Sequence, residues 1–499
     1  MPLQVFNTAT RKKGEFHPLR GKVVRIYSCG LTVYDYGHIG NFRSYIFADL
    51  LRRYLEYKGY DVKQVMNFTD VGHMTQDDIA DSKGQDKMEK AAEREHKTPW
   101  EIADFYIKAF LEDSKILNLK EPDVRPKATD HITEMQEIIK KLIENGYAYV
   151  VNGDVYFEVG KFKGYGKLSG NTLENLRAGA GGRIEKNPNK KNPLDFALWI
   201  QNPKHIMKWK SPWGEGYPGW HIECSAMSTK YLGETFDIHT GGEDNIFPHH
   251  ECEIAQTEGA TGKKFVNYWL HARHLLVNGE KMSKSKGNFY TLRGLIAKGF
   301  KPMQIRYALM SAHYRQPLDF SLEGLEAAKN SLDRLEDFLR NLKKHLGPEK
   351  NDEVSLLIKT ERGNFEKYMD DDLNTPEALA SLFEFVKEIN KLTEKSKLGE
   401  KNIAGIKKMF SDFDKVLGLE LGKEKTSEGL DKKLIELVKE LTGEAVTGNA
   451  ESLMRKIIKL REAYRRKKDF KKSDLIRNKL KEIGVVLEDE NGTTAWKAG

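Results

Sequence analysis

Residues 23–43, VVRIYSCGLTVYDYGHIGNFR, decide how the rest of the chain reads. The alternating run Val23-Val24-Arg25-Ile26-Tyr27 predicts a strand, because branched and aromatic side chains suit a pleated surface. A tight loop with Cys29 and Gly30 follows, and Gly37 and Gly40 bracket His38. A helical pattern then begins, with Tyr45, Ile46, Ala48, Asp49, Leu50 and Leu51 leading to Tyr54 and Leu55. Strand, glycine-punctuated loop and helix N-terminus are how an α/β sheet presents a phosphate site, since free N–H groups and the helix dipole face the anion. This loop also carries a thiol and an imidazole.

Downstream, Val62–Met66 reads as a second strand running into Asn67-Phe68-Thr69-Asp70, and the charged residues 76–97 read as a surface loop and helix. Helices are expected over Pro99–Leu117 and 130–146, the latter closed by Gly146, with a hairpin turning at Asn152-Gly153. The Gly-, Lys- and Asn-rich stretch 160–195 reads as long loops of an insertion between two halves of a sheet domain. Alternating α/β texture returns over 205–275, and a Gly- and Lys-rich loop spans 276–290. From about Leu318 the chain turns helical, where Leu322, Leu325, Leu332, Leu335 and Leu339 make a bundle stripe.

Composition narrows the classes. The 499 residues are 39% hydrophobic and 31% charged, which suits a soluble protein of about three domains. The N-terminus has no apolar core of signal-peptide length, and no run is long enough to span a bilayer. Three cysteines, Cys29, Cys224 and Cys252, are too few for a disulfide framework. They point to a reducing, cytoplasmic setting with thiols free to bind metal. The net charge of +8 is compatible with a nucleic-acid partner without identifying one.

Half of the 14 histidines, among them His221, His239, His249, His250 and His271, fall between 205 and 274. His249 and Glu253 are four apart and share one face of a helix, so both can ligate one ion. Cys224 would supply a third ligand, and Cys29 a fourth if the two sheet halves meet. A Cys₂HisGlu set suits zinc by softness and coordination number. Cysteine is equally at home in an ordinary core, and spacing alone does not choose. His250 and Cys252 are expected to point away from the ligand face.

A second constellation concerns phosphate. An imidazole in His38-Ile39-Gly40-Asn41 can donate to a phosphate oxygen, and Gly40 lets the backbone approach. Lys281-Met282-Ser283-Lys284-Ser285 sits between Asn278-Gly279 and Gly287-Asn288, and lysines on such a loop can stabilise charge building on a triphosphate. The same residues also fit a helix cap and a solvated basic loop. As a pair they are far more specific.

That pair resembles the two signature motifs of class I aminoacyl-tRNA synthetases. Together with CGLTVYDYGHIGN, NFTD, NPLDFALW, GWHIECSAM, FPHHECE and GEKMSKSKGN, and a C-terminal KKDFKKSDLIR, it makes the chain from about Phe6 to Trp496 resemble the cysteinyl-tRNA synthetases. The resemblance implies an α/β fold with a Rossmann-like catalytic domain, first half 1–120 and second half 205–275 with a zinc site. It further implies a connective insertion at 121–204, a loop and stem-contact region at 276–317, a helical bundle at 318–420 and a small mixed anticodon-binding domain at 430–499.

The implied activity is ATP-dependent formation of cysteinyl-adenylate from L-cysteine, then transfer to the 3′ end of cysteine tRNA, by a monomer that binds no membrane. By the same resemblance Cys29, Cys224, His249 and Glu253 hold one zinc. His38, Gly40, Asn41 and Lys284 meet ATP with its magnesium, with Lys281 assisting, and Gly30, Thr32, Thr69 and Trp220 line the amino-acid pocket. The sequence departs from the family at Leu31, Asn41, Val71-Gly72-His73 and Cys252. Residues 455–481, basic with interleaved Tyr464 and Phe470, would meet RNA through phosphate attraction and base stacking. Two rivals are a cysteine:amino-sugar ligase of similar catalytic fold, which lacks the anticodon module, and a zinc- and RNA-binding protein without catalysis.

Overall fold

The computed structural model describes all residues except 1, 72–85, 172, 176–186, 220, 284–285, 348–350, 396, 423–427, 491–492 and 499, and every structural statement concerns the described residues. The chain divides into two compact units, Met1–Gly422 and Lys423–Gly499.

In the first unit a hairpin of β1 (Gln4–Asn7) and β2 (Lys12–Glu15) precedes β3 (Val23–Thr32), which leads through the loop at 33–38 into α1 (Ile39–Tyr57) and β4 (Asp61–Thr69). The inner residues of β3, Val24, Ile26 and Tyr27, are fully buried, as a strand covered on both faces requires. Helices α2 (Lys87–Glu95), α3 (Pro99–Ile116) and α4 (Ile132–Glu144) follow. Next comes an antiparallel sheet of β5 (Ala148–Val151), β6 (Asp154–Phe157), β7 (Phe196–Gln201) and β8 (Gly216–Pro218). Asn152 and Gly153 both have positive φ at the β5–β6 turn, the conformation a two-residue hairpin needs. Because β8 pairs with β7, this sheet runs past residue 204, where the insertion is expected to end.

The chain returns through α5 (Ile222–Leu232) to β9 (Phe236–Gly242), α6 (Glu251–Thr261) and β10 (Val266–Ala272). The strand order is β10-β9-β3-β4, all parallel. From β3 the chain winds outward to β4, and from β9 the opposite way to β10. The crevice between the C-terminal ends of β3 and β9 is therefore the topological switch point, where open α/β sheets bind ligands.

A small sheet of β11 (Leu275–Val277), β12 (Glu280–Lys281) and β13 (Leu318–Phe320) carries the basic loop, with α7 (Leu292–Ala297) and α8 (Pro302–Met310) between β12 and β13. Then come α9 (Leu322–Asn341), α10 (Asp352–Asp370), α11 (Thr375–Lys395) and α12 (Glu400–Leu417). Leu325, Leu332, Leu335 and Leu339 of the expected stripe are buried. Arg306 of α8 is fully buried and donates to Asp49 of α1 at 2.6 Å and to the Leu417 carbonyl at 2.9 Å, joining the bundle to the sheet domain.

The second unit has α13 (Glu428–Thr442), α14 (Ala450–Arg466), α15 (Phe470–Glu482) and a hairpin of β14 (Val485–Glu490) and β15 (Thr493–Ala498). Leu434, Leu453, Ile457, Ile476, Leu480 and Val485 give it a core of its own. Phe470 stands 59% exposed, which removes it from that core.

Candidate metal and phosphate site

Cys29 lies near the C-terminal end of β3, where the ladder to β4 shifts register between Ser28 and Leu31. A bulge of this kind re-aims a side chain. Gly30 is obligatory there, since a Cβ would lie 1.6 Å from the Asn67 carbonyl oxygen. Instead the Gly30 N–H donates to Asn67 Oδ1 at 2.9 Å, and Asn67 Nδ2 donates to the Thr69 hydroxyl at 3.0 Å. Thr32 pairs with Thr69 across the strands.

Opposite β3, the first turn of α6 and the residues just before it bring His249 and Glu253 together, with Nε2 2.9 Å from Oε1. Cys29, His249, His250 and Glu253 each offer one ligand atom, all within 4.8 Å of one another. The Cys29 sulfur is 3.2 Å from His250 Nε2 and 3.9 Å from Glu253 Oε1. Cys224, buried in the first turn of α5, adjoins this group through hydrogen bonds with Cys29 and His249, and its sulfur is 3.8 Å from Asn67 Oδ1. His250 therefore faces the cluster, contrary to the expectation that it points away. Positions three apart on a helix share a face as well as positions four apart. Cys252 does point elsewhere, with its thiol against the Tyr165 hydroxyl at 3.5 Å.

The electrostatics suit a cation. A hydrogen bond with Cys29, aided by His249 and opposed by burial, pulls the Cys224 thiol down to about 6. Burial and the partner Cys224 push Cys29 well up. Burial alone would raise the Glu253 carboxyl, yet His239 and His249 hold it at about 2. His239, fully buried on β9, meets Glu253 Oε2 at 2.9 Å, leaving Oε1 turned to the cluster. The group the structure brings together, one sulfur, two imidazoles and a carboxylate with the Cys224 sulfur adjoining, has the chemistry to suit a divalent ion that accepts soft ligands. A group of Cys, His and Glu that could hold a metal ion is thus present. Sequence reading left His239 unassigned, and its place on β9 becomes informative only once β9 is known to pair with β3.

Nine residues beyond Cys29, His38 caps α1. Its backbone N–H donates to Asn41 Oδ1 at 3.0 Å, and Asn41 N–H donates to His38 Nδ1 at 3.2 Å. That second bond assigns Nδ1 as the acceptor, so neutral His38 carries its proton on Nε2. A methyl group at Gly40 would lie 3.0 Å from the His38 ring and 3.6 Å from the Met282 methyl, so the two signature segments adjoin. Their backbones join where Ile39 N–H donates to the Tyr290 carbonyl at 3.0 Å. Lys281 is exposed on β12, while Lys284 and Trp220 lie outside the described residues.

With this geometry in hand, the family described as the tRNA synthetases class I (C) catalytic domain matches residues 15–330, and a DALR domain matches 364–422. The chain belongs to the class I cysteine-type tRNA synthetases. Proteins named cysteine–tRNA ligase from Thermococcus onnurineus and Treponema denticola are both 44% identical to it, covering 100% of this chain and 99% and 100% of theirs. A Pyrococcus abyssi protein of the same name is 45% identical over 100% of this chain and 99% of its own. Among solved structures, the methionyl-tRNA synthetase of Mycobacterium tuberculosis with methionyl-adenylate matches with a TM-score of 0.56 at 17% identity, over 80% of this chain and 90% of that one. That likeness establishes the Rossmann-like class I synthetase fold. In this synthetase Met282 of the basic loop adjoins Gly40 beside the His38 cap, and the Cys/His/Glu group lies between the C-terminal end of β3 and the start of α6.

Proposed function

We propose that this class I synthetase is a cysteine–tRNA ligase that activates L-cysteine with ATP and passes the cysteinyl group to the 3′ end of cysteine tRNA. The observation that carries the reading is the cluster of Cys29, His249, His250 and Glu253, with Cys224 adjoining it, whose Cys29 lies on the strand that leads to the helix-capping His38 at the switch point. Substrate cysteine and serine differ only in sulfur against oxygen, which a purely apolar pocket separates weakly.

Cys29, Cys224, His249 and Glu253 would hold the ion, with His250 turned to the same recess. Zinc bound there supplies strong, selective affinity for a thiolate over a hydroxyl. The Gly30–Asn67–Thr69 hydrogen bonds and Thr32 fix the strand ends against which the amino acid would rest, with Trp220 as a wall. His38 Nε2–H can donate to the α-phosphate, and the α1 N-terminus adds its dipole. Lys281 and Lys284 would neutralise charge on the departing pyrophosphate, which magnesium accompanies. The work is positioning and charge stabilisation.

The second unit would bind the anticodon, with exposed Lys467, Lys468 and Lys471 for phosphates and exposed Phe470 for a base. The ligase would act as a monomer in the cytoplasm. Among the described residues, no helix is long and apolar enough to cross a membrane. Cysteine-dependent ATP–pyrophosphate exchange, measured with and without cysteine tRNA, tests the proposal. Exchange with tRNA charging is expected. No exchange would refute it, and exchange without charging would favour the cysteine:amino-sugar rival.

A further inference from the structure

Helix α2 touches two places that the reaction needs kept in register, and nothing in the proposed chemistry uses it. At its N-terminus, Asp86 Oδ1 accepts from the N–H groups of Met88 at 2.7 Å and Glu89 at 3.1 Å. The other oxygen, Oδ2, is buried without a hydrogen-bond partner among the described residues and lies 3.8 Å from His205 Nε2, which is likewise buried and unbonded. Glu89 Oε1 is 3.4 Å from the same nitrogen and accepts from Ile206 N–H at 3.1 Å. His205 itself belongs to the insertion, where its ring lies 4.2 Å from that of Tyr217 on β8 and its Nδ1 is 2.8 Å from the Met207 carbonyl oxygen. His205 Nε2 thus faces the carboxyl groups of both Asp86 and Glu89.

The same helix reaches the loop that leads to His38. Lys87 Nζ sits 5.3 Å over the Tyr34 ring, and Arg94 Nη1 is 3.8 Å from Asp35 Oδ2. Arg94 Nη2 donates to the Tyr34 carbonyl at 3.5 Å and to the Tyr106 hydroxyl of α3 at 3.3 Å. We infer that α2 is a strut between the insertion and residues 34–35, and that His205 is the positioning residue that seats it. Seated, the strut fixes the stretch between Cys29 and His38, and thus the distance from amino-acid recess to phosphate cap. A change in the insertion reaches His38 through α2.

The activity arm of the test rests on the ligase reading, and the second arm does not. In pyrophosphate exchange, His205→Ala should raise the KM for ATP about tenfold and leave that for cysteine within twofold, with His205→Gln restoring most of the loss. Arg94→Ala should do the same, and the double variant should be no worse than either single one. Hydrogen exchange at residues 34–37 should speed up in each. Should His205→Ala fail to fold, Glu89→Gln, which keeps the acceptor for Ile206, replaces it. Additive losses in the double variant, or unchanged hydrogen exchange at 34–37, would overturn the strut. Absence of activity in the unmodified protein would count against the ligase reading alone, because hydrogen exchange still decides the inference.

Discussion

At the scale of single residues, Gly30 and Cys29 stand or fall together. Gly30→Ala places a methyl group on a backbone oxygen of the neighbouring strand, and backbone cannot step aside as a side chain can. The bulge must open and swing the sulfur away. Bound metal should fall below half of the normal content by elemental analysis, with cysteine KM rising at least about tenfold. Cys224→Ser replaces the more acidic thiol of the pair with a hydroxyl, and loss of both metal and cysteine activation is expected. Full metal content in that variant would remove Cys224 from the ligand set. The residue types Cys, His and Glu were legible because helical spacing links His249 to Glu253. The role of His239 was not, since it depends on where β9 lies against β3, whereas His250, three residues before Glu253, was within reach of the same helical spacing.

Among elements, the two faces of HIGN illustrate how a motif can be both structural and chemical. Its Asn41 completes the cap of α1, which the sequence offers only as an alternative, and the cap in turn decides which nitrogen of His38 holds the proton. The α10–α11 pair shows a pH effect unconnected with catalysis. Glu361 of α10 is 4% exposed and accepts from the Ser381 hydroxyl at 2.8 Å, and burial pushes its carboxyl up to about 7. The folded state thus holds a proton that the unfolded chain has released above its ordinary carboxylate range. Stability from this group is full at low pH, falls as pH rises toward 7, and is flat beyond. Glu361→Gln should stabilise the protein by about 1–3 kcal/mol at pH 8 and change little at pH 4.5, as read from denaturant melts. Equal stability of both forms at pH 8 would refute it.

For the whole molecule, the chain divides into two units with separate cores, and the proposed function puts recognition in the second and chemistry in the first. If the second unit meets tRNA phosphates, Lys467→Ala with Lys471→Ala should lower tRNA affinity and flatten its logarithmic salt dependence by about 0.7 for each phosphate no longer neutralised. Adenylate formation should be unaffected. An unchanged salt slope would place the RNA-binding surface elsewhere. The basic charge of this unit was plain from residues 455–481, whereas the exposure of Phe470 was not, because an aromatic at a helix start packs inward as often as outward.

One consequence of the sheet order concerns the time before the protein exists as a fold. Strand β3 pairs with β9, and the Ser28 and Thr240 hydroxyls that meet between them are 212 residues apart in the chain. At a synthesis rate of about 5–20 residues per second, Cys29 emerges from the ribosome some 10–40 s before its partners on β9 and α6 have been made. During that interval the thiol is an unshielded nascent-chain cysteine. Oxidants and stray metal ions therefore compete for this sulfur at translation, when no recess yet protects it. A pulse of thiol-alkylating reagent should label Cys29 on ribosome-bound chains halted near residue 200 and spare it once release has let the sheet close.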